Sequence, residues 1–232
     1  MSESIRQAGG VSIELPTLAI EPTPTTWLTQ CPSLSSVQQA IFVSPNAVRY
    51  FYMELYQSKI HWPSNIQVTA IGQGTAQALK SLGITINHGP SIPDSEHVLA
   101  LSSLQDIAQQ TILLIKGQGG RELISTTLRS RGADLQPIMV YRRTLPEKNE
   151  EYTYSLWHDD AVDIILVTSQ QAMQNLFVLF GELARTWITT KPCLVISQRL
   201  AEAASAFGIQ TVIISRYEDI LTTLEGFKHD YR

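Results

Sequence analysis

The chain has 232 residues, of which 44% are hydrophobic and 16% are charged, and its formal net charge is −4. This composition is typical of a globular protein that buries a core, in one large domain or two ordinary ones. The negative charge argues against nucleic acid as a partner, and no apolar run approaches the roughly 18 residues of a membrane-spanning helix. Because the first residues lack the basic and apolar regions of a signal peptide, we expect a cytoplasmic protein with no membrane partner.

The cysteines and histidines show no spacing typical of metal ligands. Cys31 and Cys193 lie far apart in the chain and are predicted to be reduced packing residues. The five histidines do not form the set of three that a catalytic zinc ion requires. We therefore predict no bound metal.

The first half of the chain alternates apolar strands with amphipathic helices. It opens with an extended segment at residues 13–20, which Pro16 interrupts. Strands are predicted at residues 40–43, 68–71, 84–86, 111–115 and 135–141. Helices are predicted after Ser44, after the turn at 72–75, from Ser95 to about Gln109, and from Arg121 to about Arg131.

The second half follows the same rule after a polar, acidic loop at residues 147–151. Strands are predicted at residues 162–167, 193–196 and 211–214, and helices after Ser169, at 198–207 and at 216–228. Regular alternation of strands and helices indicates an α/β protein whose sheets are mainly parallel.

The second half also repeats the first at a constant offset of 125 residues. The segment IFVSPNAVRYF from Ile41 aligns with LVTSQQAMQNL from Leu166, and IGQGTAQALKSLGI from Ile71 aligns with ISQRLAEAASAFGI from Ile196. The alternative is a chance likeness between common strand–helix patterns, but the offset holds in both segments. Two copies indicate two similar α/β domains facing each other across a cleft, with ligands beyond the carboxyl ends of the strands.

The order of the extended segments predicts how the two domains are connected. Residues 15–20 and 139–144 bracket the first copy and can pair as a two-stranded linker. The resulting domains are a composite of residues 1–14 and 145–232 and an inserted domain of residues 21–138.

Two turns rich in small residues are candidate anion sites. The turns at 72–75 (GQGT) and 116–120 (KGQGG) place backbone N–H groups at predicted helix starts, where carboxylate or phosphate binds well. Neither completes a Rossmann or Walker A motif, and both can equally be simple tight turns. The window from Lys116 to Arg143 is locally basic, which suits either an anionic ligand or a solvated helix face.

Three hydroxyl-bearing residues stand out as candidates for chemistry. Ser44 and Ser169 lie outside a G-x-S-x-G motif and have no histidine placed to activate them, so they are interpreted as helix caps that also contact a ligand. Tyr141 lies in the presumed linker beside Arg142 and Arg143. A phenol with a pKa near 10 stays protonated and can donate a proton from the cleft, although an aromatic packed at a domain junction is the alternative.

Several of these segments together resemble one enzyme family. The block ILLIKGQGGRELISTTLRSRGADLQPIMVYRR is similar to the most recognisable part of uroporphyrinogen-III synthases, and FVSPNAV, AIGQGTAQALKSLG, SQQAMQNL and SQRLAEAASAFG resemble that family in its order and spacing. The resemblance implies two α/β domains joined by a two-stranded linker. It also implies a lyase of heme biosynthesis that cyclises hydroxymethylbilane with loss of water and inversion of ring D. A non-catalytic two-domain protein that binds an anion or a tetrapyrrole remains the alternative.

The resemblance also implies partners and site residues. The expected substrate carries eight carboxylates, no metal or organic cofactor is expected, and the enzyme is expected to be a monomer that meets hydroxymethylbilane synthase transiently. Tyr141 resembles the family tyrosine proposed to assist departure of the hydroxyl. The substrate-binding candidates are Ser44, Asn46, Gly74, Thr75, Lys116, Gly117, Gly119, Gly120, Arg121, Ser169, Ser197 and Arg199.

The resemblance fails at two places. Family members begin with a strand carrying Thr-Arg-Pro and a first helix, whereas SESIRQAGG resembles only the end of that helix. We therefore expect the composite domain to lack its first strand. The turn at Ser197 reads SQRL where some relatives are rich in glycine and threonine, so no threonine role is transferred there.

Overall fold

A computed structural model describes residues 1–230 of the chain, with side chains described through residue 227. The chain divides into two compact units, one formed by residues 1–19 and 144–232 and the other by residues 20–143. The first unit is called the composite unit below and the second the inserted unit. Among the residues described, no helix is long and apolar enough to cross a membrane, and no group of three metal-ligating side chains occurs. The side chain of His229 lies outside the described residues.

The inserted unit is built on a five-stranded sheet. Its strands are β1 (Ala19–Pro22), β2 (Gln39–Phe42), β3 (Gln67–Ala70), β4 (Thr111–Gly117) and β5 (Asp134–Thr144). The strand order is β1-β5-β4-β2-β3, and β2 pairs in parallel with both β3 and β4, as β4 does with β5. The carboxyl ends of β2, β3 and β4 therefore lie at the same edge of the sheet.

Helices connect these parallel strands and cover the sheet on both faces. After α1 (Ser2–Gln7), which belongs to the composite unit, they are α2 (Trp27–Gln30), α3 (Pro45–Gln57), α4 (Gln73–Ser81), α5 (Ser95–Leu99) and α6 (Leu123–Ser130). Successive residues of β2 belong to different cores, with Phe42 packed in one cluster and Ile41 in the other. Side chains alternate along a strand, so this division means that both faces of the sheet are buried, as parallel sheets require.

The composite unit has a smaller sheet. Its strands are β6 (Ile165–Val167), β7 (Cys193–Val195) and β8 (Val212–Ile214), which pair in parallel in that order. Its further helices are α7 (Glu150–His158), α8 (Gln170–Phe180), α9 (Arg185–Thr190), α10 (Gln198–Ala206) and α11 (Ile220–Asp230). Short 3-10 helices occur at Leu34–Ser36, Ser102–Leu104, Glu182–Ala184 and Tyr217–Asp219. One apolar core, centred on β7 and α8, holds the unit together.

The repeat predicted from the sequence has a structural counterpart. Helices α3 and α8 start at Pro45 and Gln170, which are 125 residues apart. Helices α4 and α10, at residues 73–81 and 198–206, have the same length and the same offset. Each pair follows a parallel strand, so the two halves share a strand–helix–strand–helix unit. The predicted α/β class with mainly parallel sheets is confirmed.

Six predicted elements need correction. The strand predicted at 162–167 begins only at Ile165, and the helix predicted at 216–228 begins at Ile220, after a 3-10 helix. The extended segment at 13–20 forms a strand only from Ala19 onward. Pro16 has no backbone N–H to donate to a neighbouring strand, so strand pairing begins only after it. Residues 84–86 form no strand, and the isolated bridge that follows them joins His88 to Thr69.

The other two corrections concern helices. The helix predicted from Ser95 to about Gln109 ends at Leu99 and is capped by Asp94, whose side chain accepts from the His97 N–H. The helix predicted from Arg121 begins two residues later, at Leu123. In that turn Gly119 and Gly120 have φ angles of 75° and 88°, and this left-handed backbone delays the start of α6.

Candidate active site

Three serines cap helices at the carboxyl ends of strands. Ser44 Oγ follows β2 and accepts from the Ala47 N–H at 3.1 Å. In the composite unit, Ser169 accepts from the Ala172 N–H at 3.1 Å after β6, and Ser197 accepts from the Leu200 N–H at 3.3 Å after β7. Each serine has an extended backbone, which suits an N-cap, and its hydroxyl accepts from the third N–H of the helix. Two earlier N–H groups stay without an intrahelical partner in α8 and α10, but in α3 only that of Asn46 does, because Pro45 has no N–H.

The turn after β3 differs from these three because glycine replaces the capping serine. Gly72 occupies the N-cap position of α4 and offers no side-chain acceptor. Gly74 is exposed in the first turn, and a Cβ there would lie 3.4 Å from Pro45 Cγ at the start of α3. Thr75 is only 3% exposed, so its side chain packs inside the unit instead of facing solvent as a substrate contact would. Asn46 lies in the first turn of α3 and is half-buried.

Tyr141 is brought to the strand-end edge by an irregularity in β5. Lys116 pairs with Met139 and Gly117 with Tyr141, so β5 carries one extra residue at this point. A bulge of this kind redirects the following side chain. As a result Val140 and Tyr141 are both buried although they are consecutive in a strand, and both belong to the same core cluster.

The Tyr141 side chain is enclosed and its hydroxyl has a partner. The residue is 3% exposed, whereas the sequence analysis expected a phenol facing a cleft. Its hydroxyl lies 3.1 Å from Ser44 Oγ, and either atom can be the donor. A Cβ at Gly117 would lie 2.5 Å from Tyr141 Cζ, so the ring packs directly on the glycine backbone. The structure therefore brings Ser44, Gly117 and Tyr141 together.

Lys116 is predicted from the sequence to bind substrate, but the structure places it in the interior. Its residue exposure is 8%, and its Nζ donates to Glu122 Oε1 at 3.0 Å. The hydrogen bond from Lys116 and the positive charge of that residue hold the pKa of Glu122 below its usual value. The ammonium group therefore has a partner, Glu122, at the start of α6. Lys116 and Gly117 are consecutive in β4 and so face opposite sides of the sheet.

The rest of the basic window is mostly engaged in structural contacts. Arg131 donates to the carbonyls of Leu99 and Leu104, which closes the loop after α5. Arg142 forms an ion pair with Glu21 across β5 and β1 at 3.0 Å. Arg121 pairs with Glu96 at 3.0 Å, but its side chain is 70% exposed, so a ligand can replace this weak surface pair.

The composite unit contributes a simpler group. Ser197 and Arg199 are exposed in the first turn of α10, and Ser169 is half-buried at the start of α8. Among the side chains of residues 1–227, Arg199 forms no ion pair with an acidic group. A free guanidinium beside a helix N-terminus is suited to a carboxylate ligand.

The sequence analysis missed Tyr50. This residue lies on α3, its ring stacks on the Tyr141 ring at 6.1 Å between centroids, and its hydroxyl donates to the Ile20 carbonyl at 2.8 Å. Helical spacing predicts an apolar face of α3 at Val48, Phe51, Tyr52 and Leu55, and Tyr50 lies beside that face. No local pattern indicates its contact with a strand 91 residues later, because that contact depends on the β5 bulge.

These features define a class of protein: an α/β protein of two units whose serine-capped and glycine-rich turns lie at the carboxyl ends of parallel strands. The family model for uroporphyrinogen-III synthase HemD matches residues 1–220. The chain therefore belongs to the uroporphyrinogen-III synthase family and is an enzyme of porphyrin biosynthesis.

Individual relatives agree with this assignment. The chain is 31% identical to the uroporphyrinogen-III synthase of Salmonella typhimurium over 89% of this chain and 81% of the relative. It is 33% identical to that of Escherichia coli over 76% of this chain and 73% of the relative.

Solved structures share the fold at lower identity. The Helicobacter pylori synthase matches with a TM-score of 0.62 and 17% identity, over 92% of each chain. A mutant of the Thermus thermophilus enzyme matches with a TM-score of 0.60 and 20% identity, over 98% of this chain and 92% of that one. At these identities the likeness supports the architecture and leaves residue roles to be argued from the site itself.

Proposed function

We propose that the chain cyclises hydroxymethylbilane to uroporphyrinogen III, with loss of water and inversion of ring D. Membership of the family supports this substrate and product. The observation that carries the mechanism is the hydrogen-bonded pair of Ser44, at the carboxyl end of β2, and Tyr141, on β5. A cytoplasmic monomer that meets hydroxymethylbilane synthase transiently is part of the same proposal.

Tyr141 is the source of the proton in this proposal. Because Tyr141 is 3% exposed and Ser44 is half-buried, Ser44 is the more accessible member of the pair. Ser44 gives its hydroxyl proton to the departing hydroxyl of the bilane and takes the proton of Tyr141 in its place. The C–O bond breaks, water leaves, and the positive charge stays on the pyrrole system. The ring carbon that finally forms the macrocycle loses a proton, which restores the phenol.

Binding and orientation of the substrate account for the remainder of the catalysis. The Asn46 N–H in α3 and the first N–H groups of α8 and α10, together with Arg121 and Arg199, are suited to the carboxylates of the bilane. The residues proposed for these contacts are Asn46, Gly74, Gly119, Gly120, Arg121, Ser169, Ser197 and Arg199. The protein must hold the two ends of the bilane so that closure with ring D inverted occurs before direct closure. In favourable intramolecular reactions, such orientation lowers the activation barrier by roughly 7–11 kcal/mol.

The decisive experiment mixes the protein with freshly generated hydroxymethylbilane and resolves the uroporphyrin isomers after oxidation. Type III product supports the proposal, whereas type I alone, the product of spontaneous closure, refutes it. We expect Tyr141→Phe to lower kcat by about 10²- to 10⁴-fold, the usual contribution of a general acid. An unchanged kcat in a folded Tyr141→Phe protein would refute the proton-donor role while leaving the overall reaction in place.

A further inference from the structure

The phenol of Tyr141 has contacts along its whole length. Ser44 lies at the hydroxyl end, 3.1 Å away, and the backbone of Gly117 lies against the ring. The Tyr50 ring stacks on it with an angle of 27° between planes. Of the three residues that contact the phenol, Tyr50 is the one that stacks a ring on it while its own hydroxyl bonds to a different residue.

The hydroxyl of Tyr50 fixes its ring to a second element. It donates to the Ile20 carbonyl of β1 at 2.8 Å, and β1 is the sheet neighbour of β5, which carries Tyr141. Helix α3 therefore holds the phenol twice, through its capping residue Ser44 and through Tyr50 on the turn that follows. Loss of the Tyr50 ring would remove one of the contacts that hold the phenol beside Ser44.

We infer that Tyr50 is a positioning residue, which keeps the Tyr141 hydroxyl within hydrogen-bonding distance of Ser44 during the reaction. The inference rests on the proposed function, since it concerns the proton donor of that reaction. Tyr50 acts through Tyr141 and takes no part in proton transfer itself. Its effect should therefore appear in kcat, with KM for hydroxymethylbilane nearly unchanged, because Tyr50 is not among the proposed carboxylate contacts.

The test compares Tyr50→Leu and Tyr50→Phe with a matched control, Tyr56→Leu. Tyr56 lies on the same helix and is 87% exposed. We expect Tyr50→Leu to lower kcat by roughly 10- to 100-fold, since misplacement of a reacting group by about 1 Å costs up to that much. Tyr50→Phe keeps the stacked ring and loses only the bond to Ile20, so its loss should be smaller. Tyr56→Leu should leave kcat unchanged.

A double variant separates positioning from a general loss of stability. In the Tyr141→Phe background, Tyr50→Leu should cause no further fall in kcat, because the group it positions is gone. An equal fall in both backgrounds would overturn the inference and leave the proton-donor role of Tyr141 intact. If Tyr141→Phe alone keeps full kcat, the proton-donor role and the inference fail together.

A spectroscopic measurement tests the same contact without turnover. In protein labelled with 3-fluorotyrosine, the ¹⁹F signal of Tyr141 is assigned as the one lost in Tyr141→Phe. This signal should shift in Tyr50→Leu, through loss of the stacked ring, and stay in place in Tyr56→Leu. A Tyr141 signal that does not respond to Tyr50→Leu would overturn the inference.

Discussion

Single residues at the strand-end edge have little freedom to change, and Gly117 is the clearest case. A side chain there has no space, because the ring of Tyr141 occupies the position of a Cβ. Glycine is required at this position for close approach and not for an unusual backbone angle, since Gly117 is absent from the residues with positive φ. The sequence placed Gly117 in a glycine-rich turn but could not distinguish these two reasons.

We expect Gly117→Ala to lower both kcat and stability, because a methyl group 2.5 Å from Tyr141 Cζ must displace the ring. Overpacking of a core typically costs about 1–3 kcal/mol in the free energy of unfolding. Gly226→Ala is the matched control: Gly226 lies within α11 and has open space around its Cβ position. That change should stabilise the protein by about 0.5–1 kcal/mol, as measured by urea unfolding, with kcat unchanged.

The two cysteines should differ in reactivity from exposed thiols. Burial raises the pKa of the Cys193 thiol to about 12 and also raises the pKa of Cys31. The thiolate is the reactive form, so both should react slowly with a thiol reagent at neutral pH in the native protein. We expect Cys193, which is fully buried in β7, to be the slower of the two and to react at a normal rate after unfolding in urea. Fast labelling of Cys193 in native protein would contradict the packing described here.

At the level of elements, the capped helix starts were predictable and the glycine turn was not. Ser44 and Ser169 were predicted as N-caps because each follows an apolar run and precedes a helical pattern, and both serve that role. The turn around Gly119 carries no periodic signal, so its two left-handed residues and the later start of α6 could not be read from the sequence. Local side-chain-to-backbone bonds are visible in a sequence, whereas backbone angles fixed by tertiary packing are not.

The capping serines allow stability and ligand binding to be separated. Asparagine and aspartate both cap helices well, but only aspartate adds a negative charge. We expect Ser197→Asn and Ser197→Asp to unfold at nearly the same urea concentration. If α10 binds a substrate carboxylate, Ser197→Asp should raise KM for hydroxymethylbilane several-fold relative to Ser197→Asn.

Ser197→Ala completes this set. It should lower the free energy of unfolding by about 0.5–2 kcal/mol through loss of the cap. Equal KM values for the asparagine and aspartate variants would exclude Ser197 and its helix start from carboxylate binding.

At the level of the whole molecule, the alternation of strands and helices and the repeat at 125 residues were enough to predict the fold class. The contact between Tyr50 and Tyr141 was not predictable, because it joins α3 to β5 through a register shift. The burial of Lys116 was also missed, since its partner Glu122 follows a turn whose conformation was unknown. The predicted domain boundaries and most of the proposed substrate contacts stay predictions.

Acid should destabilise both units. Hydrogen bonds from Lys191 and Trp187 lower the pKa of Asp160 in the composite unit, and bonds from His97 lower that of Asp94 in the inserted unit. A carboxyl whose pKa is lower in the folded state stabilises the protein above its unfolded pKa, and this stabilisation is lost as the pH falls through the folded value. The free energy of unfolding contributed by these two carboxyls should therefore be constant near neutral pH and decrease as the pH falls below about 5, through their lowered pKa values.

Asp160→Asn tests the contribution of one such group. This variant should show a weaker dependence of stability on pH than the native protein over the same range. Asp163→Asn is the control, because Asp163 forms no ion pair within the described part of the chain. If both variants follow the native curve, the bonds to Asp160 add nothing to acid sensitivity.

The extra residue in β5 also decides which side chain lies opposite Gly117. Upstream of it, Met139 is exposed opposite Lys116; downstream, Tyr141 is interior opposite Gly117. If β4 and β5 paired regularly across this point, Val140 would lie opposite Gly117 and Tyr141 one residue beyond it. Such a change of register alters neither Ser44 nor Tyr141, yet it would take the phenol from its place against Gly117, so the extra residue belongs to the site as much as the side chains do.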